Sequence, residues 1–169
     1  DEAEKLIQLS KKLTDKNNTA LIILSGDIAL AKLDENKAFS SYLQALKHDK
    51  ENIVALMKLN QVSNKQSLSA KFITHIEALI ESNPEHSFQR NILADHLIIH
   101  KKFDQAKHHY QVLLTKDIPL AKRGLILNNL ATIHIREGDY KTAINFSQQA
   151  LQILGSVPAV IDTLGWSLT

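Results

Sequence analysis

The chain has 169 residues, 44% hydrophobic and 22% charged, with a formal net charge of +2. That apolar fraction excludes a disordered segment, and no apolar run approaches the ~20 residues of a bilayer span. Zero cysteines exclude disulfides, thiolate zinc sites and cysteine nucleophiles, and leave the redox compartment open. With only five glycines and three prolines, long helices with few turns are expected and phosphate-cradling glycine loops are not. Lysine and arginine total 20 against 18 acidic residues, and the aromatics are scattered. That pattern argues against nucleic-acid binding, which concentrates basic and stacking residues on one face. The start, Asp1-Glu2-Ala3-Glu4, has no signal-peptide pattern. It suits a cytosolic protein or a piece of a longer one.

In chain order, residues 1–18 read as the second half of a helical hairpin. Residues 19–52 follow, with Ile22, Leu24, Ile28 and Leu30 along a first helix and Gly26 among them. Asp34-Glu35 then opens a second helix carrying Ala38, Tyr42 and Ala45. Residues 53–86 repeat this loosely, with Leu56 and Leu59 in a first helix, Ile76 and Leu79 in a second, and Pro84 closing. Here Phe72 stands where the other units carry alanine, and Ser63 and Ile76 also depart from the pattern. Residues 87–120 carry Leu93-Ala94, Ala106, Tyr110 and Leu113; residues 124–157 carry Leu130-Ala131, Gly138-Asp139, Ala143 and Ala150. Residues 158–169 begin another first helix at Pro158 and reach Leu164-Gly165. Gly26 and Ala94 stand two periods of 34 apart, and Ala131 and Gly165 stand one period apart. The step from Ala94 to Ala131 is 37, the extra three residues fitting the connection at Asp117-Ile118-Pro119-Leu120. Small residues at Gly26, Ala38, Ala94, Ala106, Ala131 and Ala143 let paired helices approach closely, so these positions read as core.

This pattern resembles the tetratricopeptide repeat. The resemblance implies an all-α fold, a right-handed superhelical solenoid of antiparallel helix pairs, in one array over 1–169. Its parts are a half-repeat at 1–18, repeats at 19–52, 53–86, 87–120 and 124–157, and a half-repeat at 158–169. An array without a polar cap exposes Leu164 and Leu168, so self-association through the open ends is expected. The runs Asn128-Asn129-Leu130-Ala131 and Asp162-Thr163-Leu164-Gly165-Trp166 are similar to repeat lipoproteins associated with exosortase (PEP-CTERM) protein sorting and exopolysaccharide export. Thr132 departs from them, standing where those relatives usually carry tryptophan. That resemblance implies a lipid-anchored scaffold of the bacterial cell envelope, anchored by a segment outside this sequence, with a cytoplasmic setting still open.

Catalytic constellations are not evident. His96 and His100 share a helix face at i, i+4, but residue 97 is leucine rather than a glutamate base, and two ligands fall short of a zinc site. The histidines therefore read as mostly solvent-facing, and no metal or cofactor is implied. Ser25 sits inside a packed helix without a base nearby, and no Gly-x-Ser-x-Gly run exists. The chain reads as non-enzymatic.

What remains is the face of the first helices turned away from their partners. By repeat phase it carries Asp27, Gln61, Asn64, Lys65, Asn91, Asp95, Asn128, Thr132, Arg136, Asp162 and Trp166. The resemblance implies that such a groove binds a peptide or partner helix. Asn91 and Asn128 recur at one phase, two amides able to bond a peptide backbone. The alternative is a spacer or self-association segment with no ligand of its own. Neither reading calls for membrane contact by these residues.

Overall fold

The structure is a computed structural model describing residues 18–168. The expected half-repeat at 1–18 lies, apart from Asn18, outside them. All regular structure among the described residues is helical, and it divides into two compact units at Pro84.

The first unit contains α1 (Thr19–Ala31), α2 (Glu35–His48), α3 (Ile53–Val62) and α4 (Gln66–Ser82). Short polar side chains start three of these helices by taking up backbone N–H groups that have no intrahelical acceptor. Asn18 Oδ1 accepts from Ala20 N at 3.0 Å, Asp34 Oδ1 from Lys37 N at 3.0 Å, and Asn52 Oδ1 from Ala55 N at 2.9 Å. The core is built from Tyr42, Leu56, Leu59, Phe72 and Ile76, all essentially inaccessible. Gly26 explains how closely α1 meets α2, since a Cβ there would lie 2.5 Å from Tyr42 Cε1. Ser25 beside it is exposed, not packed. Neighbouring side chains on a helix diverge by about 100°, and Gly26 holds the inward direction.

Phe72 is fully buried, as are its phase equivalents Ala38, Ala106 and Ala143. A phenyl ring in place of a methyl group needs more room between helices, and α4 accordingly touches α3 far less than α2 touches α1.

The second unit contains α5 (Ser87–Ile99), α6 (Phe103–Leu114), α7 (Leu120–Glu137), α8 (Tyr140–Leu154) and α9 (Pro158–Ser167). Leu93, Leu97, Tyr110, Leu113, Ile126, Leu130 and Ile133 fill its core. At its C-terminal end Leu127, Ala150 and Val160 bury one another. Of the two leucines expected to be exposed there, Leu168 is 67% exposed, whereas Leu164 is half-buried.

Three helix-to-helix turns share one device. Leu33, Lys101 and Gly138 occupy the same phase, and all are left-handed, with φ of 62°, 57° and 78°. Only the third is glycine, the residue that adopts this backbone without a Cβ penalty.

Candidate partner-binding surface

Eleven polar or aromatic residues were assigned to the first-helix face, and the structure sorts them by what they already hold. In the first unit Asp27 is engaged. Its Oδ1 accepts from the Tyr42 hydroxyl and from Lys58 Nζ, each at 2.7 Å. The Lys58 ammonium holds the Asp27 carboxyl below its ordinary range, opposed by burial and helped by the Tyr42 bond. Lys65 Nζ pairs with Glu35 Oε1 at 2.5 Å. Gln61 and Asn64 are exposed.

In the second unit Asp95 is the centre of a denser arrangement. The Tyr110 hydroxyl donates to Asp95 Oδ1, Asn91 Nδ2 donates to Oδ2 at 3.0 Å, and Asn129 Nδ2 reaches Oδ1 at 3.3 Å. The same Asn129 amide donates to the Tyr110 oxygen at 3.0 Å. Burial pushes the Asp95 carboxyl up, opposed by the Tyr110 bond, the Lys122 charge and the two amides. Burial also lowers Lys122, against the pull of Asp95, and its ammonium sits 5.7 Å from the Phe88 ring centre. The Tyr110 phenol is raised by burial and by the neighbouring carboxylate.

Asn128 differs from its phase equivalent Asn91. Asn91 is committed to Asp95, whereas Asn128 Oδ1 is buried with no hydrogen-bond partner. Thr132 turns its hydroxyl back to the Asn128 carbonyl at 3.0 Å. Arg136 and Asp162 are exposed, and Trp166 is 69% exposed. The second unit thus brings Asn91 and Asp95 together with Asn129, next to Asn128 along α7. Tyr42, Lys58, Tyr110 and Asn129 were missing from the sequence-based set. The two tyrosines follow their aspartates at one common spacing, and Lys58 and Asn129 share one phase, so the signal lay in the repeat register.

The histidines read as solvent-facing do not all behave so. His96 is fully buried, its ring 4.4 Å from that of His100 between centroids. It falls three residues after Leu93, on the core stripe of α5. Burial, then the charges of His100 and Lys102, lower its pKa to about 4, so its ring is neutral at pH 7. His100 Nε2 is buried without a partner. Among the described residues no three carboxylates or histidines converge on a metal-sized site. No described helix is long and apolar enough to cross a membrane.

No protein-family model and no curated protein sequence matches the chain. Solved structures do. The MamA protein aligns at 17% identity and a TM-score of 0.65, over 88% of this chain and 80% of that one. YrrB, a TPR protein with an unusual peptide-binding site, aligns at 15% identity and 0.63, over 88% and 75%. The pilF protein of Pseudomonas aeruginosa aligns at 16% and 0.66, over 89% and 67%. These likenesses show the fold: the chain is all-α, with the helix pairs of tetratricopeptide-repeat proteins.

Proposed function

We propose that the chain is a non-catalytic protein-interaction scaffold that captures a peptide or partner helix on its first-helix face. The observation that carries this is Asn128 Oδ1, a buried acceptor without a donor: leaving such a group unpaired costs about 1–3 kcal/mol, which favours turning this half-buried side chain outward once a ligand offers a donor. A peptide N–H is such a donor. One residue along α7, Asn129 joins Asp95 and Asn91 in a network of mutual hydrogen bonds. Likeness to a peptide-binding repeat protein supports the same reading. In this view Arg136, Asp162 and Trp166 supply the exposed contacts, with Thr132 at their edge. In the first unit Asp27 and Lys65 are tied to partners of their own.

Pull-downs comparing wild type with Asn91→Ala, Asn128→Ala and Arg136→Glu test the proposal. Loss of a partner supports it, and retention of every wild-type partner by all three variants defeats it.

A bacterial cell-envelope setting, in protein sorting or exopolysaccharide export, rests on the Asn-Asn-Leu-Ala and Asp-Thr-Leu-Gly-Trp runs. Fractionation of cells making the full-length protein tests that setting, and recovery wholly in the soluble cytoplasmic fraction would end it.

One observation favours the second reading, self-association. Ile161, Trp166 and Leu168 on and after α9 are 47%, 69% and 67% exposed. Light scattering separates the readings: a concentration-dependent mass abolished by Ile161→Lys supports self-association, and a constant monomer mass rejects it.

A further inference from the structure

The second helices of the first unit, α2 and α4, lie side by side without packing tightly. Two adjoining hollows of about 560 and 230 Å³ separate them. At one end Asn36 and Phe39 of α2 stand across from Lys71 of α4; at the other, Leu46 and Lys50 stand across from Leu79 and Ser82. Leu43, Lys47 and His75 border both hollows, which makes them one trough between helices running in the same direction. From Asn36 to Lys47 its helical wall extends about 17 Å at ~1.5 Å per residue.

The smaller hollow is floored by Leu43, Leu46, Ile76 and Leu79, the larger mixes Phe39 and Leu43 with Ser40 and Gln44, and the charged rim of the trough has one sign. Lys47, Lys50 and Lys71 border it, and no acidic residue does. Elsewhere in this unit Lys58 is matched to Asp27 and Lys65 to Glu35. Lys47 and Lys71 form no ion pair among the described residues. His75 Nδ1 donates to the Lys71 carbonyl at 2.7 Å, leaving Nε2 as the unbonded ring nitrogen. Nor does the fold require this rim. At the same phases in the second unit, Lys47, Lys50 and Lys71 are replaced by Thr115, Ile118 and Thr142.

We infer that this trough is a docking site for an acidic amphipathic helix, three to four turns long, of a protein partner. Its apolar stripe lies on Leu43, Ile76 and Leu79, and its carboxylates lie along Lys47, Lys50 and Lys71. Apolar burial supplies the affinity, and the lysine rim sets orientation and speeds encounter. A single-stranded nucleic acid is disfavoured because the rim has no arginine and no exposed phenylalanine, tyrosine or tryptophan on which successive bases could stack. A flat bilayer surface does not match a concave trough between two helices. The site is separate from the first-helix face and does not depend on what that face binds.

The test uses a synthetic 15-residue helix-forming peptide with leucines at i, i+3, i+4 and i+7 and glutamates on its polar face. A counterpart carries lysines in place of the glutamates. Each is titrated into isotope-labelled protein and followed by amide NMR. The glutamate peptide is expected to shift the amides around Leu43, Lys47, His75 and Leu79, and the lysine peptide to leave them in place. Lys47→Glu combined with Lys71→Glu should weaken binding at least tenfold. Ala78→Trp, which fills the trough from an exposed position, should abolish it. Both variants are checked for wild-type helicity by circular dichroism. The inference is overturned if the glutamate peptide does not bind, shifts other residues, or binds both folded variants as it binds wild type. It is equally overturned if a short RNA or phosphatidylserine vesicles engage Lys47 and Lys71 while the peptide does not.

Discussion

Tyr42 donates its hydroxyl to Asp27, and two repeats further along Tyr110 donates to Asp95 in the same way. Each pair gains a third member from the next first helix, Lys58 in one case and Asn129 in the other. A tyrosine, an aspartate and an amine or amide thus clasp three helices together. The repeat between them has Gln61 and Ile76 at these phases, and the repeat after has Thr132 and Ser147, so the clasp occurs in alternate helix pairs.

The two clasps differ in burial, and their loss should differ accordingly. Tyr110→Phe leaves the half-buried Asp95 with only amide donors and should cost about 1.5–3 kcal/mol, the range for a hydrogen bond to a charged group. Tyr42→Phe should cost less, about 0.5–1.5 kcal/mol, because Asp27 keeps Lys58 and access to water. Urea unfolding of the two variants decides the order, and a larger loss for Tyr42→Phe would contradict this account.

Leu33 and Lys101 hold a backbone that L-residues adopt at a cost of roughly 1–2 kcal/mol. Leu33 is 88% exposed, so little packing is lost on removing its side chain. Leu33→Gly should therefore raise stability by up to about 1 kcal/mol, the gain reduced by glycine's greater freedom when unfolded. Gly138→Ala should lower it by a similar amount. Thermal denaturation of both variants should show shifts of opposite sign.

Gly26 and Gly165 share a phase but have opposite surroundings. A Cβ at Gly26 meets the Tyr42 ring, which is anchored by Asp27 and cannot withdraw without releasing that bond, whereas a Cβ at Gly165 meets nothing within 4 Å. Gly26→Ala should cost about 1–3 kcal/mol through overpacking. Gly165→Ala should stabilise by up to about 1 kcal/mol through helix propensity alone. Denaturant midpoints moving in the same direction would show that the two sites do not differ as described.

His96 gives the second unit an acid sensitivity. Its folded pKa of about 4 lies below the ordinary 6.5, so unfolding takes up a proton wherever the pH is between them. The contribution is therefore fully present above pH 6.5 and disappears as the pH falls toward 4. Within that window one such group adds a slope of about 1.4 kcal/mol per pH unit. His109, lowered to about 4 by burial and then by the Arg90 charge, acts in the same direction. His96→Leu should flatten the pH dependence of the unfolding free energy by up to one proton between pH 4 and 6.5. An unchanged slope would mean that the His96 ring titrates normally.

Much of the fold is legible in the chain because a 34-residue period places small and apolar residues at fixed phases. Gly138 marks a turn, and Asp34 a helix start, through local chemistry alone. Leu33 and Lys101 hide the same turn behind ordinary residues, and only their phase relation to Gly138 points to it. The candidate face was less legible. Phase puts Asp27 and Asp95 on the first helices, away from the core stripe, but it does not say whether a tyrosine on the following helix will reach them.

The sequence by itself determined that helices form, where most begin and end, and which small residues sit between them, because helix periodicity and capping act over three or four residues. Tertiary structure decided which polar groups are spent within the chain and which remain for a partner. That choice depends on contacts between groups far apart along the chain, such as Tyr110 and Asn129 meeting at Asp95. It also set Phe72 inside the core and left α4 standing away from α3, since room for a ring between helices is a property of their packing and not of either helix alone.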